Sequence, residues 1–348
     1  KSGEKHMKTL IKPKRLKYGD KIAVASPCNG WAGDLDILWK YNLGVSRLRE
    51  LGLEVIAAPN ALKGSEYLLK NPKARAEDIM WAFENKDIHA IIANIGGNDS
   101  IKLIPYIEPK SISQNPKIFI GYSDVMNLHL MCYHCGLSSF YGDNLLNPIA
   151  DQSGWHEYSK KWFVKALFEA SPIGQITPSP DWTFEPADYI NPGCKRTYYR
   201  NSGYQKIQGK GIVQGRLIGG HTGLMELAET PIELTAEDFE EAILFVEDIP
   251  EFFDEASVQK FFSYLGEKGI LQKLNGIIIG KVNENRSFEE RAKTIHHVIS
   301  EEYSCSVPVL YGLNFGHSSP MFVLPYGAMA EIDCEKTTFS ILESGVTV

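Results

Sequence analysis

The sequence predicts an α/β protein whose N-terminal part is a doubly wound, mostly parallel sheet and whose C-terminal part is a β-rich α/β domain. Three observations support this fold class. Apolar segments of strand length end in glycine or in small polar residues, which is typical of buried parallel strands. Segments with helical spacing of apolar residues alternate with these strands, which indicates a parallel sheet covered on both faces. The length of 348 residues is more than twice a typical domain of about 150 residues, so two domains are expected.

The N-terminal part begins with a short apolar strand bounded by Gly19-Asp20 and by Ser26-Pro27. The helix after this strand ends at Gly52, because glycine is the preferred residue just beyond a helix end. In chain order, the predicted elements are a strand at 21–27, a helix at 35–51, a strand at 53–57, a helix at 74–85, strands at 90–94 and 117–121, and a helix at 125–135.

The middle of the chain, residues 171–208, is rich in proline, glycine and aromatic residues and has no helical periodicity. Structureless stretches of this length are unusual, so we interpret it as a connection that carries a substrate loop. Buried strands and helices then return, with strands at 211–220, 242–247, 275–280 and 309–314 and helices at 254–268 and 288–301. The predicted division is an N-terminal domain at 7–170, the connection at 171–208 and a C-terminal domain at 209–348.

Charge and hydropathy exclude several classes of function. Lys and Arg number 36 and Asp and Glu 43, which gives a formal net charge of −7. This mild acidity argues against a binder of nucleic-acid polymers, which needs a basic face to neutralise phosphates, and against binding to an anionic membrane. No apolar run approaches the roughly 20 residues that span a bilayer.

Cysteine usage and the N-terminus bear on the compartment. The six cysteines are scattered, which predicts a reducing, cytoplasmic environment. Cys132 and Cys135 have no second pair of zinc ligands at matching spacing, so neither a metal nor a cofactor is expected. The first fifteen residues are basic but lack the apolar segment of a secretory signal. We interpret residues 1–6 as a cloning remnant that precedes a natural start at Met7.

The first candidate site is the segment Gly121-Tyr122-Ser123-Asp124, where a buried strand gives way to a helix. This context is similar to a nucleophile elbow, in which a serine projects from the carboxyl end of a strand and helix N–H groups stabilise an oxyanion. Serine is also a favoured helix cap. Local sequence therefore leaves open whether Ser123 is a nucleophile or a cap.

The second candidate is the pair Gly96-Gly97, which follows the strand at 90–94. Two adjacent glycines allow backbone N–H groups to approach a ligand, as in an oxyanion hole or an anion-binding loop. The segment lacks the glycine spacing and the lysine of the nucleotide-binding loops. A tight turn between strand and helix is the alternative interpretation.

The remaining candidates are Glu247, at the end of a buried strand, and His317, in a loop after a core strand. A buried carboxylate requires a partner, and a structural ion pair would also satisfy it. The histidine could equally be an ordinary loop residue. Together with Ser123 they form a Ser, Glu, His order, in which the serine needs a base and the histidine needs a carboxylate to fix its tautomer.

These motifs, in this order, resemble the LD-carboxypeptidase family of serine peptidases over nearly the whole chain. The segments that carry the resemblance are residues 18–27, 96–100, 121–124, 215–220, 245–248 and 315–317. The resemblance implies that Ser123 is the nucleophile, His317 the general base and Glu247 the carboxylate that orients the base. It also implies that the N–H groups of Gly97 and Asp124 form the oxyanion hole. The active site would then lie at the interface of the two domains.

Within the family, Gly-Gly-Asn-Asp-Ser at 96–100 resembles the microcin C self-immunity (MccF-like) branch. That branch cleaves the amide between a carboxyl-terminal amino acid and a nucleotide, and it carries a loop tryptophan that stacks on the base. Trp182 matches this feature, although a hydrophobic anchor for the loop is the alternative. The implied substrate-binding residues are Gly96, Asn98, Trp182, Gly220 and His221, the last standing where relatives commonly have asparagine.

Three functions follow from this interpretation. The first is a carboxypeptidase that acts on a small aminoacyl-nucleotide, as in detoxification of a microcin C-like antibiotic. The second is a muropeptide LD-carboxypeptidase of cell-wall recycling, with a peptide substrate. The third is a non-catalytic binder of nucleotides or peptides. The family resemblance also implies a homodimer.

Overall fold

The computed structural model describes residues 9–348, so the segment interpreted as a cloning remnant lies outside the described residues. Within that range, the strands form a six-stranded sheet, an eight-stranded sheet and a two-stranded ribbon. The strands, in chain order, are β1 (Lys21–Ala25), β2 (Glu54–Ala57), β3 (Ile88–Ala93), β4 (Ile118–Gly121), β5 (Phe140–Tyr141), β6 (Gly174–Gln175), β7 (Asp181–Trp182), β8 (Tyr199–Arg200), β9 (Gln205–Gln208), β10 (Ile212–His221), β11 (Ala242–Glu247), β12 (Gly276–Gly280), β13 (Val309–Leu313), β14 (Leu324–Pro325), β15 (Met329–Asp333) and β16 (Thr338–Ile341).

The helices lie between these strands. A π-helical segment, His297–Glu302, continues the last helix to the end that the sequence predicts. None of the helices described between residues 9 and 348 has the length and apolar character needed to cross a bilayer. The α-helices are α1 (Leu38–Glu50), α2 (Ser65–Lys70), α3 (Pro72–Glu84), α4 (Pro109–Ser113), α5 (Met126–His134), α6 (Glu157–Phe168), α7 (Glu255–Glu267) and α8 (Glu289–His296).

The first sheet has the strand order β14-β5-β4-β3-β1-β2. β2, β1, β3, β4 and β5 are parallel, and the chain reverses its direction of winding between β1 and β3. In such sheets, ligands bind in the crevice at the carboxyl ends of the strands next to this switch point. The outer edge of β5 is paired by β14, an antiparallel strand that comes from the C-terminal part of the chain.

The second sheet is parallel at its centre, with β10, β11, β12 and β13 side by side. Antiparallel strands complete it on both sides, with β15, β16 and β6 at one edge and β9 at the other. Residues 171–208 therefore contribute the two outermost strands of this sheet, β6 and β9. The ribbon β7-β8 lies between these two strands in the chain. These two sheets confirm the predicted fold class.

The two sheets meet where α5 packs against the end of β10. A Cβ atom added to Gly220 would lie 2.2 Å from the sulfur of Met126, the first residue of α5. Only glycine allows this approach, since real Cβ contacts are never so short. The hydroxyl of Tyr326 also crosses between the sheets and donates to the carbonyl of Gly219 at 2.7 Å. The beginning of α5 is thereby held against the carboxyl end of β10.

Candidate active site

Ser123 lies two residues beyond the end of β4 and begins a 3-10 turn, Ser123–Val125, that leads into α5. Its φ of 67° is in the left-handed region, which costs a residue with a side chain about 1–2 kcal/mol. The helix-cap alternative is wrong, because Tyr122 precedes the 3-10 turn as its cap and makes no capping hydrogen bond through its side chain. The strained turn is the geometry of a nucleophile elbow.

The side chain of Ser123 meets those of His317 and Glu247. The Nε2 atom of His317 lies 3.1 Å from the Oγ atom of Ser123, and its Nδ1 atom lies 2.6 Å from Oε2 of Glu247. The backbone N–H of His317 donates to the same oxygen at 3.2 Å. The structure therefore joins three residues from the carboxyl ends of β4 and β11 and from the loop after β13.

Glycines make room for the buried carboxylate. Gly316 has a φ of 91°, and a Cβ atom there would lie 2.5 Å from Oε2 of Glu247. A Cβ atom at Gly280, the last residue of β12, would lie 2.8 Å from Cβ of Glu247. Both distances are too short for any other residue, so the loop that carries His317 closes on Glu247 because these positions are glycine.

Burial and charge act in opposite directions on the pair of Glu247 and His317. Burial alone would lower the pKa of His317, but the charge and the hydrogen bond of Glu247, with smaller effects from Asp248 and Glu251, raise that pKa above its ordinary value. Burial would raise the pKa of Glu247, yet the facing His317 and a hydrogen bond from Tyr141 lower it. The site therefore stabilises an imidazolium beside a carboxylate, which a general base requires once it has accepted a proton.

The loop after β3 is joined to the turn of Ser123 by Asp124. The Oδ2 atom of Asp124 accepts the N–H groups of Asp99 and Ser100 at 3.1 and 2.9 Å. The hydroxyl of Ser100 donates to the carbonyl of Asp124 at 2.6 Å. Buried Arg75 holds the other side of the loop with a bidentate ion pair to Asp99 at 2.8 and 3.0 Å. The glycine pair and the turn of Ser123 are thus one connected unit.

A cleft of about 520 Å³ opens at Ser123. Apolar side chains of the segments after β10 and β11, including Met225 and Phe252, cover its far side, and Lys260 brings a cation to it. Of the sequence-predicted site residues, it is lined by Ser123, His317, Gly97, Asp124, Asn98 and His221.

The other predicted residues lie elsewhere. Gly96 is behind Ser123, Gly220 packs on Met126, and Glu247 is buried behind His317. Trp182 lines a second cavity of about 740 Å³, together with Phe184 and Tyr199. The structure therefore does not bring Trp182 into the cleft of Ser123.

The second cavity is nevertheless close to the loop of His317. Thr183, the neighbour of Trp182, forms an antiparallel bridge with Ser319 and donates its N–H to the carbonyl of Ser319 at 2.8 Å. The Nζ atom of Lys281 lies 4.3 Å from the centroid of the Trp182 ring, and burial lowers the pKa of this lysine to about 8. The cavity thus combines aromatic faces with a cation at the carboxyl end of β12 in the second sheet.

His221 lines the cleft, and one of its two ring nitrogens is engaged by the backbone. Its Nδ1 atom accepts the N–H of Gly223 at 3.0 Å, so in the neutral ring the proton is on Nε2. The Nε2 atom is buried and has no hydrogen-bond partner among residues 9–348. A substrate oxygen is the kind of group that would satisfy it.

Two residues of this region are absent from the sequence prediction. Tyr141 donates its hydroxyl to Oε1 of Glu247 at 2.6 Å, and Lys281 lies over Trp182. Their positions at strand ends could have indicated a role in the site, since Tyr141 ends β5 and Lys281 follows β12 directly. Side chains at the carboxyl ends of parallel strands gather at one edge of a sheet, where sites of α/β folds form.

Comparison with known proteins identifies the family. Sequence profiles of the LD-carboxypeptidase N-terminal and C-terminal domains match residues 22–142 and 214–332. The chain belongs to the LD-carboxypeptidase family. Like other members, it is a hydrolase, a serine-type carboxypeptidase.

The relatives within the family include a self-immunity protein and a murein peptide carboxypeptidase. The microcin C7 self-immunity protein MccF of Escherichia coli is 30% identical over 316 residues, which cover 87% of this chain and 88% of MccF. The probable murein peptide carboxypeptidase of Bacillus subtilis is 27% identical over 341 residues, which cover 97% of this chain and 95% of that protein.

Solved structures of family members share the fold. The MccF-like protein of Streptococcus pneumoniae in complex with AMP has a TM-score of 0.84 at 28% identity, covering 93% of this chain and 98% of its own. MccF in complex with aspartyl sulfamoyl adenosine has a TM-score of 0.84 at 25% identity, covering 97% of this chain and 100% of its own.

Gly96→Ala is expected to impair catalysis while leaving the protein folded. The added Cβ would lie 2.9 Å from Cβ and 3.1 Å from Oγ of Ser123, so the serine must move. A displacement of about 1 Å in a reacting group costs about 100-fold in rate. Steady-state kinetics and thermal unfolding measure the two effects. In the matched control Gly193→Ala, the new Cβ meets only the side chain of Asn191 at 3.4 Å, and normal activity is expected. Unchanged kcat in Gly96→Ala would contradict the placement of the nucleophile.

Proposed function

We propose that this carboxypeptidase hydrolyses the amide that links an amino acid to a nucleotide moiety, through a catalytic triad of Ser123, His317 and Glu247. The observation that carries the proposal is the continuous contact from Oγ of Ser123 through His317 to Glu247, with distances of 3.1 and 2.6 Å. The contact supports acyl transfer, in which the serine needs a base and the base needs an orienting carboxylate.

In the proposed mechanism, Oγ of Ser123 attacks the scissile carbonyl and His317 accepts its proton. The oxyanion forms against the N–H groups of Gly97 and Asp124, and losing one such donor typically costs about 2.7–4 kcal/mol in the barrier. The imidazolium of His317 then protonates the nitrogen of the leaving group. Water, activated by the same histidine, attacks the acyl ester and releases the amino acid.

The nucleotide part of the proposed substrate is supported by the cavity of Trp182. Trp182, Phe184 and Tyr199 offer aromatic faces, and a base stacked on one of them gains about 1–3 kcal/mol. Lys281, beside Trp182, offers a cation to an anionic linkage. The bridge between Thr183 and Ser319 supports a substrate that extends past the loop of His317 to this cavity. In the cleft, the Nε2–H of His221 is the proposed contact to a substrate oxygen.

A muropeptide LD-carboxypeptidase is the second candidate. It is favoured by the similarity to the murein peptide carboxypeptidase of Bacillus subtilis over 97% of this chain. The same triad would cleave an L,D-peptide bond, and the aromatic cavity would then have no base to bind.

A paired assay separates the two candidates. The purified protein is incubated with an aminoacyl-sulfamoyl adenosine and, separately, with a tetrapeptide muropeptide, and the released amino acid is quantified. We expect turnover of the nucleotide conjugate. Turnover of the muropeptide alone would overturn the first proposal and establish the second.

Trp182→Ala tests the nucleotide part in the same assay. Loss of base stacking is expected to raise KM for the nucleotide conjugate about tenfold. The control Trp182→Phe keeps an aromatic face and should keep most of the affinity. An equal effect of Trp182→Ala on both substrates would indicate that the tryptophan only anchors its loop.

The proposal includes a homodimer in the cytoplasm. The six cysteines are free thiols in the structure, which supports a reducing compartment. Sedimentation equilibrium of the purified protein tests the dimer, and a monomer at all concentrations would refute it.

A further inference from the structure

The hydroxyl of Tyr141 lies between two members of the proposed triad. It donates to Oε1 of Glu247 at 2.6 Å and accepts the backbone N–H of Ser123 at 3.0 Å. Tyr141 is on the first sheet and Glu247 is on the second, so this single hydroxyl spans the junction between the two sheets. The side chain is fully buried, with 1% of its surface exposed.

The direction of both hydrogen bonds is fixed by chemistry. The N–H of Ser123 can only donate, so the phenol oxygen accepts there and its one proton is directed to Glu247. Burial and the charge of Glu247 raise the pKa of Tyr141 well above its ordinary value, so the phenol remains protonated. The hydroxyl therefore does not exchange protons with substrate, and its effect is on geometry and charge.

We propose that Tyr141 is a positioning residue of the hydrolytic site, which fixes the carboxylate of Glu247 and the left-handed backbone of Ser123 at the same time. The inference rests on the proposed triad. Oε2 of Glu247 is engaged by the side chain and the backbone of His317, and Tyr141 supplies the donor for the other oxygen. Without that donor the carboxylate can rotate, and the amide of Ser123 loses its acceptor.

Tyr326 provides a comparison within the same cluster of aromatic side chains. It is also fully buried, and like Tyr141 it packs against His129 and Phe245. Its hydroxyl donates to the backbone carbonyl of Gly219, as a core tyrosine commonly does. The two tyrosines therefore share burial and aromatic packing and differ in whether the hydroxyl touches the triad.

Removal of the Tyr141 hydroxyl has a consequence for pH dependence. The titratable groups that face Glu247 are His317, His221, Asp248 and the phenols of Tyr122, Tyr141 and Tyr326. Those that face His317 are Glu247, Asp248 and Glu251. A carboxylate that loses a hydrogen-bond donor becomes more basic and stabilises the imidazolium of His317 more strongly. The pKa of His317 then rises, and the acidic limb of kcat/KM moves to higher pH, which a purely structural role would not produce.

The experiment compares Tyr141→Phe with Tyr326→Phe in the full-length protein, using the substrate that the paired assay selects. Tyr141→Phe is expected to lower kcat about 10- to 100-fold, the size expected for losing a hydrogen bond to a charged group, with little change in KM. Its acidic limb should move to higher pH. Tyr326→Phe should lose thermal stability to a similar extent but keep kcat and the wild-type pH profile.

A second variant keeps the test valid if Tyr141→Phe does not fold. Replacing Tyr141 by 3-fluorotyrosine makes the phenol a stronger donor, so the acidic limb should move to lower pH. Wild-type kcat and pH profile in both Tyr141 variants, or the same shift in Tyr326→Phe, would overturn the proposal. Ser123→Ala separates this failure from that of the triad: if Ser123→Ala is inactive and the Tyr141 variants are normal, only the role of Tyr141 is refuted.

Discussion

Ser123→Ala is expected to lower kcat by about 10⁴-fold or more, because Ser123 is the proposed nucleophile, and removing the nucleophile of a triad leaves only the catalysis due to the oxyanion hole and substrate binding. The fold should be unaffected. The hydroxyl of Ser123 contacts His317, and its backbone is held by Tyr141 through the amide, which alanine retains. Thermal unfolding should therefore match the wild type, and isothermal titration should show that substrate still binds.

A matched serine variant and a covalent probe complete this test. Ser318 is buried next to His317, and its hydroxyl has no hydrogen-bond partner among the described residues, so Ser318→Ala should keep most of the activity. A fluorophosphonate should label the peptide that contains Ser123, as mass spectrometry can detect. A label on another residue, or hydrolysis by Ser123→Ala at the wild-type rate, would disprove the assignment of the nucleophile.

Glu247→Gln should have the second-largest effect, with kcat lower by about 10³–10⁴-fold. If the new amide places its oxygen toward His317, its NH₂ group faces the hydroxyl of Tyr141, whose proton then loses the acceptor that Glu247 provided. If it places its NH₂ toward His317, the ring must carry its proton on Nε2 and cannot accept the proton of Ser123. Neither orientation satisfies the site.

The pH profile identifies the cause of this loss. A general base must be neutral, so kcat/KM rises with pH through the pKa of His317, which in the wild type lies above the ordinary value of about 6.5. Without the charge of Glu247, burial dominates and lowers that pKa, so the acidic limb of Glu247→Gln should move to lower pH. Exposed Glu251 faces His317 without a hydrogen bond to it, and Glu251→Gln should cause only a small shift. Equal shifts in both variants would contradict the role of Glu247.

Much of the fold could be predicted from the sequence because its central strands are buried on both faces. The segments at 90–93, 118–121, 242–246 and 276–280 are continuous apolar runs, and their sequence shows it directly. The two-residue strands β5, β6 and β14 carry no periodicity, since pairing with distant strands alone defines them. These short strands, two of the first sheet and one of the second, therefore emerge only from the structure.

The candidate site likewise contains some residues that the sequence predicts and others that only the structure reveals. Ser123 and Glu247 are visible in the sequence because each is a polar residue at, or two residues beyond, the end of a buried apolar strand. Tyr141 is not, because an aromatic residue after Phe140 is consistent with ordinary core packing, and the partner of its hydroxyl lies on the other sheet. For Trp182, sequence identifies the residue but not the cavity it lines, which Lys281 and Tyr199 complete from distant parts of the chain.

The pairing of β14 with β5 has a consequence for biosynthesis. While the N-terminal half leaves the ribosome, the outer edge of its sheet is unpaired, and the hydroxyl of Tyr141 has no carboxylate to bind. The hydroxyl gains its partner once Glu247 has been synthesised, whereas the edge of β5 is paired only when Leu324 and Pro325 follow. A nascent chain interrupted before residue 324 lacks the last strand of its first sheet, so that sheet is completed only after the parallel strands of the second sheet have been synthesised.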